Sequence, residues 1–207
     1  MDRLDSEGDL EAAVAWLVAV EPRFAGVVER HGLPSLRRTQ PGLGSLLRIV
    51  TDQLISLKAG EAIWARIERA LPVFEAEAVL ALPQESLKAL GLSTAKARTF
   101  HAVARAFSAG GLDRELPQEE HFRRLTAIPG IGPWTAHVYL LTACRAADAW
   151  PAADLALRKA AFNLFARDAV PGSTEMTALA APWRPRRAAA ALLLWSHYRG
   201  LKGLPQA

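Results

Sequence analysis

The chain of 207 residues has a single cysteine, no long apolar run and few segments of the kind strands favour. Cys144 alone cannot close an internal disulfide, and alone it can hold neither a metal nor an iron–sulfur cluster. An apolar stretch such as Ala188 to Trp195 falls far short of the roughly 18 residues a membrane span needs. The first residues, Met1-Asp2-Arg3-Leu4-Asp5-Ser6-Glu7, lack the basic and apolar regions of a secretory signal, so a cytoplasmic protein that makes no use of a membrane is expected. The histidines (His31, His101, His121, His137, His197) show no metal-binding spacing. Runs of Val, Ile, Thr and Tyr are scarce while Ala and Leu abound, which argues against a sheet.

What is present reads as a folded helical protein with a basic body. Apolar types make up 51% and charged types 22%, too apolar for a disordered chain. Residues 1–21 hold six carboxylates against Arg3, a net −5, so the rest carries +9 of the overall +4. A basic body points to a polyanionic partner. Leu46, Leu47, Val50, Leu54 and Leu57 follow a helical repeat, as do Ile63, Ile67 and Leu71. Turn signals such as Pro41-Gly42, Gly110-Gly111, Pro129-Gly130 and Pro171-Gly172 separate such segments. Helical segments are expected near 9–19, 21–31, 43–56, 59–71, 75–81, 84–90, 94–108, 118–127, 133–145, 154–167, 174–181 and 185–198, with no strand. The fold class is all-α.

One stretch carries chemistry: Leu125-Thr126-Ala127-Ile128-Pro129-Gly130-Ile131-Gly132-Pro133-Trp134-Thr135-Ala136. A helix end meets a short turn with two glycines, and a second helix opens at Pro133, a residue suited to the first helical position. Such a turn aims N–H groups at one point and suits a phosphate. Without its surroundings it is an ordinary helical corner with Ile128 and Ile131 in the core. Asp154 follows Gly132 by 22 residues, after Trp150-Pro151 and before an apolar-periodic segment. Taken alone it is a helix N-cap.

Together these residues resemble the helix–hairpin–helix DNA glycosylase superfamily, which is marked by such a hairpin followed by a catalytic aspartate. Within it, the sequence is most similar to the bacterial 3-methyladenine DNA glycosylase II branch. Ile49-Val50-Thr51-Asp52-Gln53-Leu54-Ile55-Ser56, Leu90-Gly91-Leu92-Ser93-Thr94-Ala95-Lys96 and Trp183-Arg184-Pro185-Arg186-Arg187-Ala188 to Trp195 match further segments of that branch in order. The likeness runs over roughly residues 43–200. Two departures stand out. Trp134 sits where strand-cutting relatives carry a Schiff-base lysine, and the chain has no cysteine set for a cluster. Residues 1–42 are also too short and too helical for the N-terminal β-rich domain of longer members.

The resemblance implies two helical lobes with a DNA-binding cleft: an N-terminal helical region 1–42 packed beside the C-terminal helices, a wedge-bearing lobe 43–115, and a part 116–207 with the hairpin, the aspartate and the last helices. It implies a monofunctional enzyme, a monomer, that flips alkylated bases out of damaged double-stranded DNA and hydrolyses the N-glycosidic bond during base excision repair. Asp154 would be the catalytic carboxylate. Trp134, Trp183, Val138 and Tyr139 would line the base pocket. Leu54 would be the wedge and Gln53 a contact to the opposite strand, although periodicity alone makes Leu54 a core leucine and Gln53 a helix cap. Gly130, Gly132 and Thr135 would hold a phosphate. No cofactor is required, and Na+ or K+ could rest on the carbonyls of Ile128 and Ile131. Lys96, Arg158, Lys159 and Arg187 are phosphate-binding or structural charges, and Trp16, Trp64, Trp150 and Trp195 packing residues. Two other readings stay open: a glycosylase of the superfamily for deaminated or oxidised bases, and a non-enzymatic helix–hairpin–helix DNA-binding protein.

Overall fold

The computed structural model describes residues 3–36, 39–110, 112 and 116–205. Among them are twelve α-helices: α1 (Glu7–Val20), α2 (Ala25–His31), α3 (Leu43–Asp52), α4 (Leu57–Ala70), α5 (Ala76–Ala81), α6 (Gln84–Ala89), α7 (Thr94–Ser108), α8 (Gln118–Thr126), α9 (Pro133–Thr142), α10 (Leu155–Leu164), α11 (Ser173–Leu179) and α12 (Arg187–Leu201). Short 3-10 turns cover Pro22–Phe24 and Ala181–Trp183. The described residues form no strand; one isolated antiparallel bridge joins Arg3 to Ala146. The all-α reading is correct. No described helix is long and apolar enough to cross a membrane.

The chain divides into two units, Met1–Arg38 with Leu140–Ala207, and Thr39–Tyr139. The first is organised around α12. Its run of Ala188 to Leu194 is buried on every side, as an unbroken apolar sequence demands, and α1, α2 and α10 pack against it. Small alanines let these helices approach closely. Beside them Phe24, Trp150, Phe165 and Trp183 form an aromatic cluster. Trp183 lies 5.3 Å from Phe24, 5.6 Å from Trp150 and 5.8 Å from Phe165 between ring centres. Arg187 fastens the start of α12 to the loop before α10. Its Nε and Nη2 donate to the two carboxylate oxygens of Asp148 at 2.7 and 2.8 Å, and Nη2 also to the Asp148 carbonyl.

The second unit is built on α7, against which α3, α5 and α6 pack, while α4 packs on α3. Leu46, Leu47, Val50, Ile67, Val79, Leu87, Phe100 and Val103 are its buried apolar centre. The hairpin, expected within a part 116–207, belongs instead with 39–139, and the division falls inside α9. Gly130 backs onto Thr99 of α7, and the Gly42 N–H, just before α3, donates to the Tyr139 hydroxyl at 3.0 Å, so packing ties the hairpin to α7 and α3. The helix expected over 43–56 stops at Asp52, because Gln53 turns to φ −57°, ψ 128°, and Ser56 caps a new helix through the Ala59 N–H.

Arg187 is 7% exposed, and its removal leaves the mostly buried Asp148 carboxylate with the looser Arg184 pair at 3.8 Å. Arg187→Met is expected to lower unfolding stability by about 3 kcal/mol, read by urea denaturation. A loss no larger than that of an exposed pair would show the bond to be incidental.

Candidate functional site

Unit 39–139 carries a hairpin anchored from below and open above. Ile128 and Ile131 are buried, while Pro129, Gly130, Gly132 and Pro133 are exposed. The Ile131 N–H closes the turn on the Ile128 carbonyl at 3.0 Å, and the Ala136 N–H bonds the Gly132 carbonyl to start α9. Among the described residues, the N–H groups of Gly130 and Gly132 donate to no backbone carbonyl of the turn. They stand at the N-terminal, positive end of α9, where an anion is favoured. Gly130 has φ 91°, and a Cβ there would run into the Thr99 side chain. Only glycine satisfies both demands.

Thr135 takes a different place from the one expected. Its side chain is 2% exposed, and its hydroxyl accepts the Gln53 amide N–H at 2.7 Å. Together the two side chains tie the turn after α3 to the start of α9. That turn presents Leu54 fully exposed at φ 55°, with Ile55 and Leu57 exposed beside it. The helical repeat that makes Leu54 a core residue is thus interrupted one residue before it could act. Lys96 is a structural charge here, since its Nζ donates to the carbonyls of Thr51 and Gln53.

In unit 1–38 with 140–207, Asp154 is the N-cap of α10, as its sequence context suggests. Its Oδ1 accepts the Leu157 N–H at 3.0 Å and the Trp195 indole N–H at 3.1 Å. Both bonds fall on one oxygen of a half-exposed carboxylate, which fixes its plane without burying it. Trp195 was expected only to pack; it orients the acid, and no sequence signal marks that bond across 41 residues. Arg158 donates Nε to the Pro171 carbonyl at 2.6 Å and serves the loop after α10, whereas Lys159 is exposed.

The four aromatic and apolar pocket candidates separate into two kinds. Trp134 and Val138 are half-buried on the first turns of α9 and keep accessible surface. Tyr139 is 1% exposed, with its ring edge against His121 and its hydroxyl accepting from Gly42. Trp183 is also 1% exposed, enclosed by Phe24, Trp150 and Phe165. Neither buried ring has a face to offer a ligand. The structure places Trp183 and Tyr139 in the core, not on an accessible pocket wall.

The family model described as HhH-GPD superfamily base excision DNA repair protein matches residues 47–185. A probable bifunctional transcriptional activator/DNA repair enzyme AlkA from Mycobacterium tuberculosis is 31% identical over 93% of this chain, and the match spans 40% of that protein's length. DNA-3-methyladenine glycosylase 1 of Schizosaccharomyces pombe is 29% identical over 78% of this chain and 74% of its own. The structure of the 3-methyladenine DNA glycosylase Mag1 of that yeast, solved in complex with abasic DNA, aligns with a TM-score of 0.82 at 25% identity, covering 92% of this chain and 97% of that one.

The two hairpin glycines make opposite demands. Gly130→Ala places a side chain at positive φ and against Thr99, and is expected to cost about 2–3 kcal/mol of unfolding free energy. Gly132 has open space around it, so Gly132→Ala should cost no more than about 1 kcal/mol. Urea melts of both variants check the difference; equal losses would contradict the close packing on Thr99.

Proposed function

The chain belongs to the HhH-GPD superfamily of base excision DNA repair proteins, and we propose that it is a monofunctional glycosylase removing alkylated bases of the 3-methyladenine type from double-stranded DNA. It spans about two fifths of the length of the mycobacterial relative and most of that of the yeast one. The observation that carries the reading is the Asp154 carboxylate, held on one oxygen by the Leu157 and Trp195 N–H groups.

Breaking an N-glycosidic bond puts positive, oxocarbenium-like charge on the deoxyribose as the electron pair leaves with the base. A carboxylate fixed in advance stabilises that charge with no reorganisation at the moment of reaction. Asp154 also takes a proton from the water whose oxygen adds to C1′, so that the O–H bond breaks as the C1′–O bond forms. An alkylated purine carries positive charge and departs without strong acid assistance. Trp134, half-buried at the start of α9, carries an electron-rich ring suited to such a base by cation–π attraction, and Val138 stands one turn further on. An indole at position 134 cannot form a Schiff base, so no strand cleavage follows by that route.

Binding divides between the hairpin and the turn after α3. Gly130 and Gly132 offer N–H groups to a backbone phosphate at the start of α9. Leu54, apolar and fully exposed, suits insertion into the stack as the damaged base leaves it. The Ile128 carbonyl takes only one N–H within the turn and keeps a second lone pair, so with the Ile131 carbonyl it fits a monovalent cation such as Na+ or K+. Such an ion would offset phosphate charge, and the hydrolysis asks for no organic cofactor.

The test uses a methylated duplex with wild type and Asp154→Asn. Asparagine still caps a helix, so the variant should fold and bind DNA. Release of free methylpurine is expected to fall by about 10² to 10³, and wild-type strands should break only after alkali. Equal release by both proteins would remove Asp154 from the chemistry. Binding without release by either would favour a DNA-binding module.

A further inference from the structure

Lys96 occupies an unfavourable place. It stands in the first turn of α7, its N–H bonded by the cap Ser93, where a cation opposes the helix dipole. Burial holds the amine below the ordinary lysine pKa, against the pull of Asp52 nearby. What offsets both costs comes from α3. Nζ donates to the Thr51 carbonyl at 2.8 Å and the Gln53 carbonyl at 2.7 Å, acceptors at the open end of that helix.

The same carbonyls would otherwise accept N–H groups further along the chain. The repeat Leu46, Leu47, Val50, Leu54 and Leu57 favours that continuation, which would lay Leu54 on the apolar face of a longer α3. Instead the chain breaks at Gln53, and Leu54 is held fully exposed at a positive φ that is strained for a leucine. A strained residue persists only where its surroundings over-determine it. Ser56 pins the far side of the turn by capping α4, and the Gln53 amide is tied to Thr135. On the near side the anchor is Lys96.

Resting on the reading of Leu54 as the DNA wedge, we propose that Lys96 is a positioning residue that stops α3 at Asp52 and so presents Leu54 to the duplex. The amine faces carbonyls rather than solvent; its part in DNA distortion runs through Leu54, not through a phosphate.

A double-mutant cycle on the full chain tests this. Wild type, Lys96→Met, Leu54→Ala and the double variant are mixed with a duplex carrying 2-aminopurine beside an abasic-site analogue. Bases unstacked by a wedge brighten the 2-aminopurine, and release of methylpurine from a separate methylated duplex is measured in parallel. Lys96→Met should reduce both signals by about tenfold in the Leu54 background and hardly at all in the Leu54→Ala background, with overall DNA affinity nearly unchanged. Equal losses in both backgrounds, or none in either, would overturn the inference. Should Leu54→Ala leave both signals intact, the wedge reading fails first, and the role of Lys96 with it. If Lys96→Met melts below the assay temperature, Lys96→Gln replaces it. Amide exchange over residues 51–57 then reads the turn itself: unchanged protection would also overturn the inference.

Discussion

One carboxylate oxygen, Oδ1 of Asp154, accepts an N–H from the first turn of the helix it starts and the indole N–H of a tryptophan on the last helix. Much of the unit around it serves to bring those two donors together. The alanine-rich α12 lets α10 approach closely enough for Trp195 to reach the cap. Arg187, one helix-start earlier on α12, clamps Asp148 and thereby the loop that leads to Asp154. Trp150, within that loop, gives its indole N–H to the Met176 carbonyl and its ring to the Trp183 cluster. A helix cap and a reactive acid are not competing descriptions of Asp154. Capping fixes the carboxylate at the positive end of a helix, where an anion is favoured, and that anion is what a developing sugar cation needs.

In the other unit the same economy appears as tolerated strain. Two positive-φ positions, Gly130 and Leu54, stand at the two exposed features that the proposed function uses. The first is easy for glycine and allows contact with Thr99; the second is difficult for leucine and leaves an apolar side chain in water. Burying that leucine would stabilise the protein by roughly 2 kcal/mol. A fold that gives up both terms at one turn, and surrounds it with Lys96, Gln53, Thr135 and Ser56, violates local preference where an external ligand can compensate.

Much of this was legible before any coordinates. The Pro129–Pro133 hairpin announced itself through its two glycines, and Asp154 through the proline, the acid and the periodic segment behind it. What stayed hidden depended on contacts distant in sequence. Periodicity carried α3 through Leu54 because the repeat does continue; the interruption is imposed by an amine 43 residues away. Trp183 read as a pocket wall because its motif position says nothing of Phe24 and Phe165, which enclose it. Trp195 read as packing because an indole donor leaves no periodic trace. The boundary expected near residue 115 moved into α9 because Thr99 and Gly42 draw the hairpin to their own helices.

The claim at the centre is that the carboxylate capping α10 attends the sugar of an extruded nucleotide. A crystal structure of Asp154→Asn bound to a duplex with an intact methylated base tests it most directly. The account predicts the damaged nucleotide out of the stack, its C1′ within about 4 Å of the residue 154 side chain, a distance at which opposite charges interact strongly. Density for that nucleotide stacked in the duplex, or extruded far from residue 154, would contradict it.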